Sequence, residues 1–202
     1  MPRQVSAVVV CGPSGAGKTT VGKVLATILK CSFEEGDDYH SDVNKRKMQS
    51  GVPLTDEDRA PWLHRLAEEV LAPCKGRGAV SVVLACSALR RRYRDVLRGI
   101  NRSAYTEEAA DTSQNSEIFF VLLSGDAKLI EERLRARQGH FMPVSLHLSQ
   151  LCTLEALQPT EVGTVIDVAD PPAAIAEKAA ELIRAVTTSP SGESPPSFPR
   201  CV

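Results

Sequence analysis

The chain has 202 residues, of which 43% are apolar, so it is long enough for one well-packed domain and short for two. Its formal net charge of −1 argues against a nucleic-acid partner held by bulk electrostatics. No apolar stretch reaches the roughly 18 residues that a membrane-spanning helix requires, so no membrane association is expected.

The first predicted element is a buried strand over residues 5–11, close to the N-terminus. The short polar segment before it leaves no room for a signal peptide, so a cytoplasmic protein is expected. The six cysteines of the chain form no Cys-x-x-Cys pair, and most of them stand in apolar runs. Their distribution favours reduced, buried thiols over a zinc site.

A phosphate-binding loop follows this strand. The segment Gly-Pro-Ser-Gly-Ala-Gly-Lys-Thr fits the pattern G-x-x-x-x-G-K-[ST] at every fixed position, and a helix is predicted over 20–30. Glycines let backbone N–H groups turn toward phosphate oxygens, and the helix N-terminus adds its dipole. We expect Lys18 at the β- and γ-phosphates of a nucleoside triphosphate and Thr19 on Mg²⁺. The residues predicted to hold the nucleotide are Gly12, Pro13, Ser14, Gly15, Ala16, Gly17, Lys18, Thr19 and Thr20.

The strand and helix pattern continues over the middle of the chain. A short strand is predicted over 31–35, then a polar segment over 36–55 and a helix over 56–71. Thr55 is suited to cap that helix, with Asp58 three residues on in place of the usual Glu or Gln. A buried strand over 79–86 and a basic helix over 87–98 follow.

The last part of the chain repeats the alternation. A polar loop is predicted over 99–116, a strand over 118–123, a helix over 126–137, a strand over 162–168 and a helix over 172–186. The tail over 187–202 is rich in Ser and Pro, so we expect it to be disordered. The pattern as a whole predicts one α/β domain over 1–186, with a parallel five-stranded sheet and helices on both faces.

Three classes of protein are compatible with such a loop. A GTPase-like switch usually carries an N-K-x-D signature, and the chain has only Asn-Lys-Arg-Lys at 44–47. An ATPase, or an adaptor that binds ATP, usually has an Asp at the end of a buried strand, and the strand over 79–86 ends without one. A small-molecule kinase needs a carboxylate beside the acceptor hydroxyl. The acidic run at 34–38 lies at the end of the second strand, where a parallel sheet forms its ligand crevice. This position favours a role at the acceptor over a merely solvated loop, and so favours a small-molecule kinase.

Three further stretches carry a resemblance to the gluconokinases. The central stretch contains Gly36-Asp37-Asp38-Tyr39-His40 and then Pro53-Leu54, Asp56, Asp58-Arg59 and Pro61-Trp62-Leu63. The other two contain Cys86-Ser87-Ala88-Leu89-Arg90 and Gly139-His140-Phe141-Met142-Pro143. The matches run in order from the phosphate loop to about Glu155, so most of the chain is similar to the thermoresistant gluconokinase family of P-loop small-molecule kinases.

The resemblance implies phosphorylation of D-gluconate at its 6-hydroxyl by ATP with Mg²⁺, giving 6-phospho-D-gluconate and ADP. It also implies a three-layer P-loop kinase fold with a small lid at about 138–150, and a homodimer. Two alternatives stay open at this point. One is a nucleotide-binding relative with weak or lost turnover, and the other is a kinase for another small hydroxy acid such as shikimate.

Substrate-side roles can be assigned beside the resemblance. Asp37 is expected to orient or deprotonate the 6-hydroxyl. Arg59 is the leading candidate to bind the substrate carboxylate, with Arg94 second, although Arg59 is also compatible with a surface salt bridge to Asp56 or Glu57. Four further residues are expected to line the same pocket: His40, Asn44, Lys47 and His140.

Lid-side and metal-side roles complete the expectations. Arg133 and Arg137 are expected to close over the phosphates and neutralise charge that develops during transfer. Glu35, expected to hold Mg²⁺ together with Thr19, stands where the family usually has Asp, and the added methylene moves a carboxylate by roughly 1 Å. After the lid, the segment over 150–157 lacks the Phe and the Pro that the family usually has there.

Overall fold

The computed structural model describes residues 4–100, 117–136 and 150–188. Five strands lie within these ranges: β1 (Ala7–Cys11), β2 (Ser32–Glu35), β3 (Val82–Ala85), β4 (Ile118–Ser124) and β5 (Gly163–Asp167). All of them pair in parallel, in the order β2-β3-β1-β4-β5. The predicted α/β fold with a five-stranded parallel sheet is therefore confirmed.

Helices connect the strands. They are α1 (Lys18–Leu29), α2 (Asp42–Gln49), α3 (Asp56–Arg65), α4 (Arg91–Leu97), α5 (Ala127–Ala136) and α6 (Pro172–Thr188). A 3₁₀ turn at Gly36–Tyr39 links β2 to α2, and α3 continues through a π-helical turn at Leu66–Leu71. At the start of α3, the Thr55 hydroxyl accepts from the Asp58 backbone N–H and the Asp58 carboxylate accepts from that of Thr55, as the capping pattern predicts.

The sheet is covered on both faces, which explains why its central strand is uniformly apolar. Val8 and Val10 of β1 pack into the core cluster that contains α1 and α6, whereas Val9 and Cys11 pack into the cluster that contains α3 and α4. Alternate residues of a strand point to opposite faces, so a strand between two layers of helices must be apolar throughout.

The strand order places the second strand at the edge of the sheet, with β3 between it and β1. The structure differs from the sequence-based expectations in two places. The polar segment over 36–55 contains α2, which the sequence did not predict. The helix predicted over 87–98 begins only at Arg91, because Ala88 has a positive φ of 39° and Arg90 is extended.

Several expectations fall on other parts of the chain. Arg137, His140 and the predicted lid up to residue 149 lie outside the described residues, as do the loop from 101 to 116 and the tail from 189. Among the residues that the structure describes, no helix is long and apolar enough to cross a membrane. Cys11, Cys74 and Cys86 are buried and unpaired, which fits the expected reduced thiols.

Candidate active site

The phosphate loop joins β1 to α1 at the carboxyl edge of the sheet. Gly12, Gly15 and Gly17 have φ values of 134°, 85° and 90°, which side chains with a Cβ rarely adopt. A Cβ on Gly15 would also lie 2.6 Å from the Leu134 side chain, so α5 packs directly against the loop. The loop thus has the backbone conformation and the close packing that require glycine.

Lys18 lies across this loop. Its ammonium group donates a hydrogen bond to the Pro13 carbonyl at 3.0 Å. Burial lowers the pKa of Lys18, and the nearby carboxylates of Asp37 and Glu35 oppose that shift. The side chain is therefore close to both carboxylates that follow β2, although β2 is the edge strand.

Thr19 and Glu35 contact each other directly. The Thr19 hydroxyl donates to a Glu35 carboxylate oxygen at 2.7 Å. Burial raises the pKa of Glu35, and the hydrogen bond from Thr19 acts in the opposite direction. A hydroxyl and a carboxylate are hard oxygen ligands, and Mg²⁺ in kinases needs few of them because phosphates and water complete its shell. These two residues therefore fit a magnesium ion beside the phosphate loop.

Asp37 stands on the 3₁₀ turn after β2, and 71% of its side chain is exposed. His40, at the end of the turn, is buried, and its Nε2 lies 4.0 Å from an Asp37 carboxylate oxygen. Burial lowers the pKa of His40 to about 4, so its ring is neutral near pH 7. The His40 ring stacks on Trp62, with centroids 4.1 Å apart.

Asn44 and Lys47 project from α2 and both bind Asp58. The Asn44 side-chain amide donates to the Asp58 carbonyl at 2.7 Å. The Lys47 ammonium donates to both Asp58 carboxylate oxygens, at 2.7 and 2.9 Å. In the structure these residues connect α2 to the start of α3. Asp58 therefore has a second role besides the helix cap that the sequence predicts.

Arg59 is half-buried, and its guanidinium lies 5.8 Å from the centre of the Tyr93 ring. It donates to the Leu54 carbonyl and forms no ion pair within the described ranges. The expected alternative, a surface salt bridge from Arg59 to Asp56 or Glu57, is not present among the described residues. Asp56 instead accepts from Tyr93, Arg92 and Arg90. Those contacts lower the pKa of Asp56, the Tyr93 hydroxyl most strongly.

The expectation that Arg94 binds the substrate carboxylate requires a correction. All of its guanidinium N–H groups are engaged inside the protein, so none is left to bind a substrate. Its guanidinium is fully buried and pairs with Glu161, with Nε and Nη2 at 2.6 and 2.9 Å from the two carboxylate oxygens. The remaining N–H groups donate to the carbonyls of Ala88, Leu89, Glu155 and Ala156. Arg94 ties α4 to the segment before β5, and a basic run in the sequence does not reveal which arginine turns inward.

Arg90 and Gln150 are two site residues that the sequence reasoning missed. Arg90 is partly exposed, and its guanidinium lies 6.0 Å from the centre of the Tyr93 ring, the same ring that Arg59 approaches. The Gln150 side chain accepts from the Ser14 backbone N–H of the phosphate loop at 2.7 Å. The signal for Arg90 is its place in the loop that follows β3, at the carboxyl end of that strand, where the sheet forms its ligand crevice.

Arg133 lies half-buried on α5, next to Leu134, which contacts the phosphate loop. The described site therefore combines the phosphate loop, the Thr19–Glu35 pair, the turn that carries Asp37, and the arginines around the Tyr93 ring, which are Arg59, Arg90 and Arg92. The site thus contains a carboxylate that can orient a hydroxyl, cations that can bind anionic groups, and a loop that can hold phosphates. This combination suits phosphoryl transfer to an anionic acceptor.

Comparisons with known proteins agree with that chemistry. A family model described as an AAA domain matches residues 8–157. A gluconokinase from Arabidopsis thaliana is 41% identical over 152 residues, which cover 74% of this chain and 77% of that protein. A gluconokinase from Gluconobacter oxydans is 47% identical over 151 residues, covering 73% and 74%. The crystal structure of a gluconokinase from Sinorhizobium meliloti superposes with a TM-score of 0.73 and 38% identity, covering 92% of this chain and 95% of that one.

Proposed function

The chain belongs to the gluconokinase family of P-loop kinases, and on that premise we propose that it uses ATP to phosphorylate D-gluconate at the 6-hydroxyl through the site described above. One structural observation supports this proposal beyond the family. Lys18, the Thr19–Glu35 pair and the exposed Asp37 carboxylate meet at one edge of the sheet. These are the groups that transfer to a hydroxyl requires.

The nucleotide occupies the phosphate loop in this proposal. Free backbone N–H groups of the loop and of the start of α1 hold the phosphates, and Lys18 exchanges its bond to the Pro13 carbonyl for phosphate oxygens. Thr19 and Glu35 would hold Mg²⁺, which would neutralise phosphate charge. Glu35 would then carry its negative charge despite the burial that raises its pKa, because a divalent cation favours the ionised carboxylate.

Asp37 acts on the acceptor. Its carboxylate accepts the hydrogen bond of the 6-hydroxyl and takes the proton as the hydroxyl oxygen bonds to the γ-phosphorus and the bond to ADP breaks. Lys18 and Arg133 neutralise the charge that develops on the phosphoryl oxygens. His40 is neutral near pH 7, so it adds no positive charge beside Asp37.

Arg59 binds the gluconate carboxylate. Arg59, Arg90 and Arg92 all lie within about 6 Å of the Tyr93 ring centre, and the carboxylate that contacts two of them is Asp56. Three cations against one carboxylate leave this cluster positively charged, which favours an anionic sugar acid over a neutral polyol. Arg90 replaces Arg94 as the second cation near the substrate.

An acceptor panel tests the proposal. Purified protein with ATP and Mg²⁺ should release ADP with gluconate, and much more slowly with shikimate, sorbitol or nucleoside monophosphates. Asp37→Asn should lower kcat strongly and leave ATP affinity nearly intact. Equal turnover with sorbitol would contradict the assigned acceptor. We also expect a homodimer in the cytoplasm, on the family resemblance alone, and light scattering of the purified protein would measure its mass.

A further inference from the structure

One indole holds both ends of the turn that carries Asp37. The Trp62 Nε1–H donates to the Gly36 carbonyl, the first residue of the turn, at 2.7 Å. The His40 ring, which follows the last residue of the turn, stacks on Trp62 with an interplanar angle of 15°. Asp37 is thus placed between two residues that are each fixed to the same side chain.

The start of the turn also packs against the end of β3. A Cβ on Gly36 would lie 2.5 Å from the Ala85 carbonyl oxygen, so the backbone passes that strand at close range. Trp62 and His40 are 4% and 5% exposed, so both contacts lie in the protein interior. The turn is therefore bonded to the indole and packed closely against β3, which leaves little room for its backbone to shift.

The Asp37 side chain has few contacts of its own. It is 71% exposed, and the nearest ring is that of the neutral His40, whose Nε2 lies 4.0 Å from a carboxylate oxygen. A side chain held so loosely takes its position from its backbone, and a displacement of about 1 Å can lower a rate roughly 100-fold. We propose that Trp62 is a positioning residue for Asp37, an inference that rests on the proposed role of Asp37 in the reaction.

Trp62→Phe is the sharpest perturbation, because it removes the N–H donor and keeps a ring that can stack on His40. It should lower kcat by about 10- to 100-fold and leave the KM for ATP nearly unchanged, since the phosphate loop is not touched. Leu63→Val is the matched control. It perturbs the neighbouring buried residue of α3 by one methylene, so it should lower stability slightly without lowering kcat.

A double-mutant cycle separates positioning from general stability. The kcat values of the wild type, Trp62→Phe, Asp37→Asn and the double variant are compared under conditions where all four are folded by circular dichroism. If Trp62 acts through Asp37, Trp62→Phe should lower kcat less than about twofold in the Asp37→Asn background. Equal loss in both backgrounds would assign Trp62 to the core alone and overturn the inference.

Two further outcomes distinguish a failure of this inference from a failure of the proposed activity. Should Asp37→Asn retain the wild-type kcat, the role of Asp37 fails and the positioning role of Trp62 fails with it, whereas turnover of gluconate by the wild type still stands. Trp62 is the one tryptophan in the sequence, so its indole N–H gives a single resonance. Slow exchange of that proton with solvent is expected in the wild type, because it is bonded to the Gly36 carbonyl. Rapid exchange would overturn the proposed role of Trp62 whether or not the protein phosphorylates gluconate.

Discussion

Glu161→Ala should destabilise the folded protein by about 3–5 kcal/mol, because it leaves the buried Arg94 guanidinium without its counter-charge. Both side chains are fully buried, and the two carboxylate oxygens lie 2.6 and 2.9 Å from Arg94 nitrogens. One of those oxygens also accepts the Gln158 backbone N–H at 2.8 Å. The substitution thus leaves a charge and an N–H group without their acceptors in the interior.

Urea unfolding followed by far-UV circular dichroism measures the loss. With an m-value of about 2 kcal/mol/M, the midpoint should fall by roughly 2 M. Glu69→Ala is the matched control, because it breaks an ion pair of similar length, 2.9 Å, whose partners Arg65 and Glu69 are about half exposed. Exposed pairs contribute little, so that midpoint should not change measurably.

A compensating variant sharpens the test. Arg94→Met combined with Glu161→Leu removes both charges together, so it should be more stable than Glu161→Ala alone. Glu161→Ala would refute the reasoning if its midpoint moved no further than that of Glu69→Ala. A rise in the KM for gluconate at unchanged stability would instead return Arg94 to the substrate site.

Three further predictions concern the site itself. Lys18→Ala should lower kcat/KM strongly, by an amount that corresponds to a loss of several kcal/mol of transition-state stabilisation. Near-normal turnover in this variant would show that the loop takes no part in the mechanism. Arg59→Ala should reduce the preference for gluconate over sorbitol, measured as the ratio of their kcat/KM values, and Arg59→Lys should restore little of it. An unchanged ratio would indicate that another residue, with Arg90 the first to test, binds the carboxylate. The pKa of His40 is about 4 in the folded protein and about 6.5 in the unfolded chain, which therefore binds the extra proton between those values. Stability should fall as the pH is lowered from about 6.5 to about 4, and urea midpoints of His40→Phe should lack that component of the slope.

Features that depend on local chemistry were predictable from the sequence. The loop at 12–19 and the cap at Thr55 each need particular residue types at fixed spacing, and both are where the sequence placed them. The Thr19–Glu35 contact was expected only as a shared metal site. That contact exists although β2 is an edge strand, because α1 packs closely against β2: a Cβ on Gly22 would lie 2.7 Å from the Phe33 ring.

Features that depend on tertiary contacts were not predictable. α2 is eight residues long and mostly polar, so it has no apolar periodicity, and its bonds to Asp58 come from a different helix. Arg94 stands in a run of basic residues, and its buried partners, Glu161 and four backbone carbonyls, distinguish it from its less buried neighbours. A sequence pattern records composition and spacing, whereas the partner of a buried charge is set by the fold.

The bonds that converge on Asp58 bear on how the acceptor preference of this scaffold could be altered. Its carboxylate caps α3 and also pairs with Lys47, whereas the Asn44 amide binds its backbone carbonyl, which any residue at that position retains. Changing Lys47 or Asp58 alone leaves the other without its charged partner, and the effects of such coupled residues do not add. A laboratory library aimed at other sugar acids should therefore randomise residues 47 and 58 jointly, since one-at-a-time screening would discard the compatible combinations.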